Sequence, residues 1–277
     1  MFAGGRMVEA GSFLEAWLRE ASEKNDRASE LAALSELTGY YRSVGRAVES
    51  IETGERAMDL LSALGVDRGT QRAAALVNLA TAHRAARNTA KAISLYAQAE
   101  MSLAAGGGGS YEASALYNNL GGALAAAGEP ERALACFTQA LSILEGLEDT
   151  GSERATALAG IGAMQLSLSR IDEARTSLEK SLELFEHLPG EDPHVPSALA
   201  ALGRLRYMEG ETEEALSLFA RAAEKTAAFF GANQDYAGLC RSCAALCERL
   251  DRPEEAKQWR DRGEARYERS GAVPAVL

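Results

Sequence analysis

Five alanines, Ala92, Ala133, Ala174, Ala215 and Ala256, stand 41 residues apart along the chain. Self-similarity at a fixed interval of this size is the mark of stacked structural repeats, in which each unit covers its neighbour's apolar face. The interval holds for other residue classes too. Twelve residues before each alanine stands a second small residue: Ala80, Gly121, Gly162, Gly203 or Ala244. Four residues after it come Tyr96, Phe137, Leu178, Phe219 and Arg260, and three further on Ala99, Ala140, Ser181, Ala222 and Gly263. Small and large side chains therefore recur in register.

Within each interval the apolar residues follow a helical period, and no stretch alternates apolar and polar residues as a half-buried strand does. The pattern predicts two antiparallel helices per repeat. Small residues mark where the helix axes approach closely, and the large residue fills the gap one turn later. Pro130 and Pro253, three intervals apart, mark the turn between the helices. An earlier, degenerate copy fits at Leu37, Thr38, Ser50, Gly54 and Ala57, one residue out of step, which makes about six repeats. The helix around Phe13 to Leu18 precedes them, and the charged run Arg252 to Arg269 suits a polar terminal helix.

The stretch ALYNNLGGALAAAGEPERALACFTQALSIL, from Ala115 to Leu144, resembles a tetratricopeptide repeat, with Tyr117, Leu120, Gly121, Ala133, Phe137 and Ala140 at the family's landmarks. The long interval and the GEDPHVPSALAALG lead-in are similar to the kinesin-light-chain variety of that repeat. The resemblance implies an all-α fold, a right-handed α-solenoid of about six helix-turn-helix repeats. The expected organisation is one superhelical domain over 1–270. It comprises a capping helix in 1–26, repeats at 27–67, 68–109, 110–150, 151–191, 192–232 and 233–270, and a disordered tail over 271–277.

Composition narrows the function classes. The formal charge is −11, which repels phosphate backbones, so no nucleic-acid partner is expected. The chain has no long uninterrupted apolar segment, and its start carries charges where a signal peptide needs an apolar stretch, so no membrane partner and a cytoplasmic location are expected.

Three of the four cysteines fall in GLCRSCAALC, residues 238–247. Superposing the copies puts Cys240 in a column with Leu76, Tyr117, Leu158 and Leu199, and Cys243 in a column with Leu79, Leu120, Ile161 and Leu202. Both columns are apolar and cysteine buries readily, so a core role is expected. Cys247, whose column reads His83, Leu124, Gln165 and Arg206, is left open. Seven residues of helix separate Cys240 from Cys247 by roughly 10 Å, too far for two thiolates on one zinc at about 2.3 Å each. No metal and no cofactor are expected. The glycine run Gly106 to Gly109, followed by Ser110, lacks the lysine of a phosphate loop and follows a helix, so it reads as a connection. His83, His187 and His194 stand beside no nucleophile spacing, and the acidic pairs at the start of each second helix suit the helix dipole.

The resemblance places the first helix of each pair on the concave surface, where a ligand would lie. Over those six helices nine arginines face seven acids, against the acidity of the whole chain. Asn78 and Asn119 share a column, with Asn118 beside the second, and the family's matching asparagines hold the backbone of an extended peptide. A carboxamide suits this because it donates and accepts at once. Later copies carry Gly160, Ala201 and Ser242 there, so the ladder has two rungs. Arg42 and Arg84 share a column under the first copy's shifted register, Thr81 lies between Asn78 and Arg84, and Arg204, Tyr207 and Arg241 supply contacts further along. Gly122, Ala125, Ala159 and Ala163 are small enough to leave a hollow.

The leading expectation is a non-enzymatic adaptor binding a peptide or partner-protein segment in that groove. The alternative is a peptide-sensing regulatory switch without a DNA-binding domain. Self-association through the terminal repeats or the tail is a further expectation.

Overall fold

The computed structural model describes residues 7–106 and 110–269. The glycines 107–109 and the tail 271–277 therefore lie outside the described residues. Thirteen helices account for the described fold: α1 Met7–Glu23, α2 Arg27–Ser43, α3 Ala47–Ala63, α4 Thr70–Ala85, α5 Thr89–Gly106, α6 Ser110–Ala126, α7 Pro130–Leu144, α8 Gly151–Ser167, α9 Ile171–Glu186, α10 Val195–Met208, α11 Thr212–Phe230, α12 Gln234–Arg249 and α13 Pro253–Arg269. After α1 they pair as α2/α3 through α12/α13, and the fold is an all-α solenoid. The chain divides into two compact units, 1–146 with α1 to α7 and 147–277 with α8 to α13. None of the described helices is long and apolar enough to cross a membrane.

The repeating alanines sit where two helices touch: Ala92, Ala133, Ala174, Ala215 and Ala256 are all 0% exposed. In the three copies that carry glycine at the second small position, that position faces the large one. A Cβ on Gly121 would meet the Phe137 ring at 2.9 Å, one on Gly162 would meet Leu178 Cγ at 2.5 Å, and one on Gly203 would meet the Phe219 ring at 3.2 Å. Glycine is thus required by its neighbour's bulk, and the ring or isobutyl group takes the volume that the missing side chain leaves.

The turns between paired helices obey the same interval, by backbone rather than side chain. Arg87, Gly128, Ser169, Gly210 and Asp251, again 41 apart, all have positive φ, at 62°, 77°, 60°, 90° and 58°. Each lets the next amide reach back to the helix end: Asn88 N to His83 O at 2.8 Å, Glu129 N to Leu124 O at 3.0 Å, Arg170 N to Gln165 O at 2.8 Å, Glu211 N to Arg206 O at 2.9 Å, and Arg252 N to Cys247 O at 2.9 Å. This is the Schellman arrangement, which uses a left-handed residue to satisfy carbonyls that the helix leaves unpaired. Glycine fills it at 128 and 210 without strain, whereas a side chain costs about 1 kcal/mol there. We expect Arg87→Gly and Ser169→Gly each to raise stability by about 0.5 kcal/mol, with less gain at Asp251, since aspartate tolerates this conformation. Urea midpoints check this, and a lowered midpoint at both positions would refute the strain.

Charged pairs join successive helix pairs of the second unit. Arg175 on α9 donates through Nε and Nη2 to Glu209 at 2.9 and 2.6 Å. Arg252, in the turn before α13, reaches Glu213 on α11 at 2.5 Å. These sites are partly exposed, so each holds orientation more than it adds stability.

Candidate functional site

In unit 1 the first helices of neighbouring pairs lie against one another, α2 on α4 and α4 on α6, while the second helices make no comparable approach to each other. A layer whose members touch is on the inside of a bend, and one whose members splay is on the outside. In unit 2, α8 and α10 repeat this relation. The first helices α2, α4 and α6 therefore carry the inner wall of unit 1, and α8 and α10 that of unit 2.

On the wall of unit 1, Asn78 is half-buried and its carboxamide has no hydrogen-bond partner among the described residues. Asn118 presents an Oδ1 that is buried and likewise unpartnered. Asn119, the expected second rung, instead donates from Nδ2 to Ala115 O of its own helix at 2.9 Å. One of its donors is spent locally, so Asn78 and Asn118 are the freer pair. Thr81 departs further from a groove role. It is buried, its hydroxyl donates to Val77 O at 2.8 Å, and it lies 2.9 Å from the Tyr96 hydroxyl, which pins α4 to α5. Arg84 is exposed and Arg42 half-buried, and neither forms an ion pair among the described residues. Open space lies beside Gly39, one turn before Arg42 on α2, and beside Gly122 on α6, since a Cβ on either would meet nothing within 4 Å.

On the wall of unit 2, Arg204 and Arg241 are exposed and without an ion pair among the described residues. The contrast with Arg206, two residues along α10, is sharp. Arg206 is surrounded by Glu209 at 2.8 Å, Glu214 at 3.1 Å and Glu179 at 3.5 Å. Tyr207 is 39% exposed, and the Arg249 guanidinium sits 5.2 Å from its ring centroid, so Arg249 joins this wall as a residue that sequence columns did not single out. Its signal, an arginine one helical register from Tyr207 on the next first helix, requires knowing how α10 and α12 align. Arg154 on α8 was missed for a similar reason, and its Nε is buried without a partner. Ala159, expected to help form a hollow, is buried against Phe185 and Ala198 and so faces packing instead of open space.

The cysteines are core. Cys240, Cys243 and Cys247 are each 0% exposed, which settles the open case of Cys247. Cys240 packs with Ala223 and Tyr236, and the other two with Ala215 and Phe219. Burial pushes the Cys243 thiol up to about 12, with the neighbouring cysteines adding to the shift.

His83, in the Cys247 column, is also buried. Its Nε2 has no partner, and its Nδ1 lies 3.4 Å from the side-chain Nδ2 of Asn88. Burial lowers its pKa, the Lys91 charge lowers it further, and Glu55 opposes them weakly. The unfolded chain therefore takes up this proton first. Stability from the neutral imidazole is complete above the unfolded value of about 6.5 and declines as pH falls below it. We expect His83→Leu, which matches Leu124 in the same column, to flatten the loss of stability between pH 7.5 and 5. An unchanged slope would assign that loss to other groups.

Two family models described as tetratricopeptide repeat match this chain, one over residues 111–187 and again over 153–227, the other over 75–103. Together they account for more than half of its length. The chain belongs to the tetratricopeptide-repeat family. A search of curated proteins returns no match. Among solved structures, this tetratricopeptide-repeat chain is similar to BtubC (BKLC) from P. vanneervenii at 19% identity, covering 85% of this chain and 94% of that one with a TM-score of 0.57. It is similar to a Rap protein complexed with competence and sporulation factor at 15% identity, covering 95% and 74% with a TM-score of 0.65. The apo form of the quorum sensor NprR from B. thuringiensis matches at 17% identity, covering 92% and 75% with a TM-score of 0.62. At these identities the likeness is one of fold.

Proposed function

We propose that the protein is a non-enzymatic binding module that takes a peptide or an extended partner-protein segment on the inner wall of unit 1. The observation that carries this reading is the state of Asn78 and Asn118. A free carboxamide on α4 and a buried, unpartnered amide oxygen on α6 stand on two first helices that touch each other. Leaving a buried acceptor unpaired costs about 1–3 kcal/mol, a cost that a ligand's backbone amide removes. A carboxamide pair also suits a peptide backbone, which offers one donor and one acceptor per residue.

The alternative reading is a peptide-sensing switch. It draws support from the names of two fold neighbours, a Rap protein bound to competence and sporulation factor and the quorum sensor NprR. Both readings share one binding face and differ in the consequence of binding.

Affinity capture with quantitative mass spectrometry, comparing the native chain with Asn78→Ala/Asn118→Ala, tests the shared face. Loss of two amide hydrogen bonds predicts roughly a 10-fold or greater loss of the captured partner at unchanged helix content. Asn119→Ala, whose amide is partly committed to its own helix, is expected to fall within about twofold of native, since only a single weaker contact is removed. Partner recovery unaffected by the double variant would defeat the assignment. If the recovered partner is a short peptide, slower amide exchange in helices remote from Asn78 favours the switch, and exchange protection confined to α4 and α6 favours the adaptor.

A further inference from the structure

A cleft of about 560 Å³ opens in unit 2 between α11 and α13, the second helices of the last two pairs, with buried Tyr236 of α12 at its base. That volume falls within the roughly 300–1,000 Å³ in which proteins hold small ligands. Glu224, Ala227 and Ala228 line it from α11, and Trp259 and Arg262 from α13. The repeat register distinguishes this copy from the one before it. Forty-one residues earlier, the positions of Ala227 and Ala228 hold Glu186 and His187, and those of Tyr236 and Trp259 hold Val195 and Leu218. The last copy thus exchanges larger polar side chains for methyl groups and aliphatic side chains for aromatic rings.

Two opposite charges line this cleft without meeting. Neither Glu224 nor Arg262 forms an ion pair among the described residues. Charged residues close to both in sequence are paired, Lys225 with Glu191 at 2.8 Å and Arg260 with Glu248. The Arg262 guanidinium instead lies 4.8 Å from the Trp259 ring centroid, a contact that holds it over the indole and leaves its N–H donors available. Tyr236 is also held in place, because its backbone amide donates to Asn233 Oδ1 at 2.9 Å.

Charge complementarity narrows the ligand. A simple anion that meets Arg262 is repelled by Glu224, and a simple cation that meets Glu224 is repelled by Arg262. A molecule carrying both charges gives each residue a charge-assisted hydrogen bond, and the rings and methyl groups receive an apolar side chain. We infer that this cleft is a second binding site, independent of the inner wall of unit 1, for a small zwitterion with an apolar side chain. Its ammonium meets Glu224, its carboxylate meets Arg262, and its side chain lies against Trp259 and Tyr236. A free amino acid and a dipeptide share that chemistry.

The full chain is titrated with L-leucine and L-leucyl-L-leucine, each free, N-acetylated or C-amidated. Calorimetry and the Trp259 indole N–H resonance, assigned through Trp259→Phe, follow binding. At least one free zwitterion is expected to move the resonance, and blocking either of its ends to weaken binding by about 10-fold or more, the loss of one charge-assisted hydrogen bond. Glu224→Gln is expected to erase the preference over the acetylated form and keep that over the amide, and Arg262→Met to do the reverse. Both residues are exposed, so neither change is expected to cost helix content. Tighter binding of leucine identifies a free amino acid as the ligand, tighter binding of the dipeptide a short peptide, and either supports the site. An acetylated form that binds as tightly as the free one indicates an anion site, an equally tight amide indicates a cation site, and each overturns the zwitterion assignment. An indole resonance unmoved by both free compounds at about 10 mM, or end preferences unchanged in both variants, overturns the site. Asn78→Ala/Asn118→Ala, in unit 1, is expected to leave these affinities within about twofold, so the two sites fail separately.

Discussion

Gly162→Val is expected to destabilise the second unit by about 3 kcal/mol, because it forces a branched side chain into a fully packed helix contact. Even one added carbon at 162 would lie 2.5 Å from Leu178 Cγ, 2.7 Å from its Cδ2 and 3.3 Å from the Ala174 carbonyl oxygen. The side chain has little freedom to retreat, because Leu178 is 0% exposed, and the carbonyl belongs to the backbone of α9. Alanine recovers about 1 kcal/mol of helix propensity against this clash, but valine adds two further carbons and a branched Cβ that loses rotamer freedom in a helix. Separation of α8 from α9 is the only relief. Gly39→Ala provides the opposite control, since nothing lies within 4 Å of its Cβ, and it should stabilise by about 0.5–1 kcal/mol. Hydrogen exchange reads both, with amides of α8 and α9 exchanging about 100-fold faster in Gly162→Val. Native protection in that variant would mean that the repeated small residues are not close-approach positions.

The second large effect concerns the thiols. Native protein is expected to show one cysteine modified faster than the rest, Cys136, which is partly exposed although burial and the Glu100 carboxylate push its thiol up, and three that wait for unfolding. With the Cys243 thiol pushed up to about 12, only about one molecule in ten thousand carries its thiolate at pH 8. Full burial then removes access as well, so modification of Cys240, Cys243 and Cys247 requires opening of the helix pair and falls by orders of magnitude relative to denatured protein. Peptide mapping after brief treatment with a thiol reagent checks this. Prompt labelling of any of the three would place that sulfur at the surface and remove it from its buried column.

Both effects rest on features legible in the chain alone. Ala92 through Ala256, and the small and large residues around them, interdigitate as their spacing requires, because close packing between repeated helix pairs forces one residue size at each depth. The register even located Cys240 and Cys243 by analogy with Leu76 and Leu79. Residues that do not pack were harder to place. Thr81 and Arg84 lie three apart on α4, yet one is buried against Tyr96 and the other open, and Arg204 and Arg206 differ by a ring of three glutamates. Polar side chains at the margin of a helix face take their direction from neighbours that are distant in sequence, which periodicity does not record. The left-handed turns at Arg87, Ser169 and Asp251 escaped for another reason. Glycine signals that conformation, and these copies adopt it without glycine because the packed helices on either side hold the turn.

Repetition of residue size at 41-residue intervals was enough to determine a stack of paired helices and to bury two sulfurs, those of Cys240 and Cys243, since steric fit between neighbours depends on volume and spacing, both written in the chain; the third, Cys247 in a mixed column, was placed only by the structure. Which polar groups are left unsatisfied, Asn78, Asn118, Arg42 and Arg84 above all, was decided only when the helices came together. Hydrogen bonds and ion pairs form between particular atoms at particular distances, so the same residue types become either structural ties or open binding groups according to what the fold brings beside them.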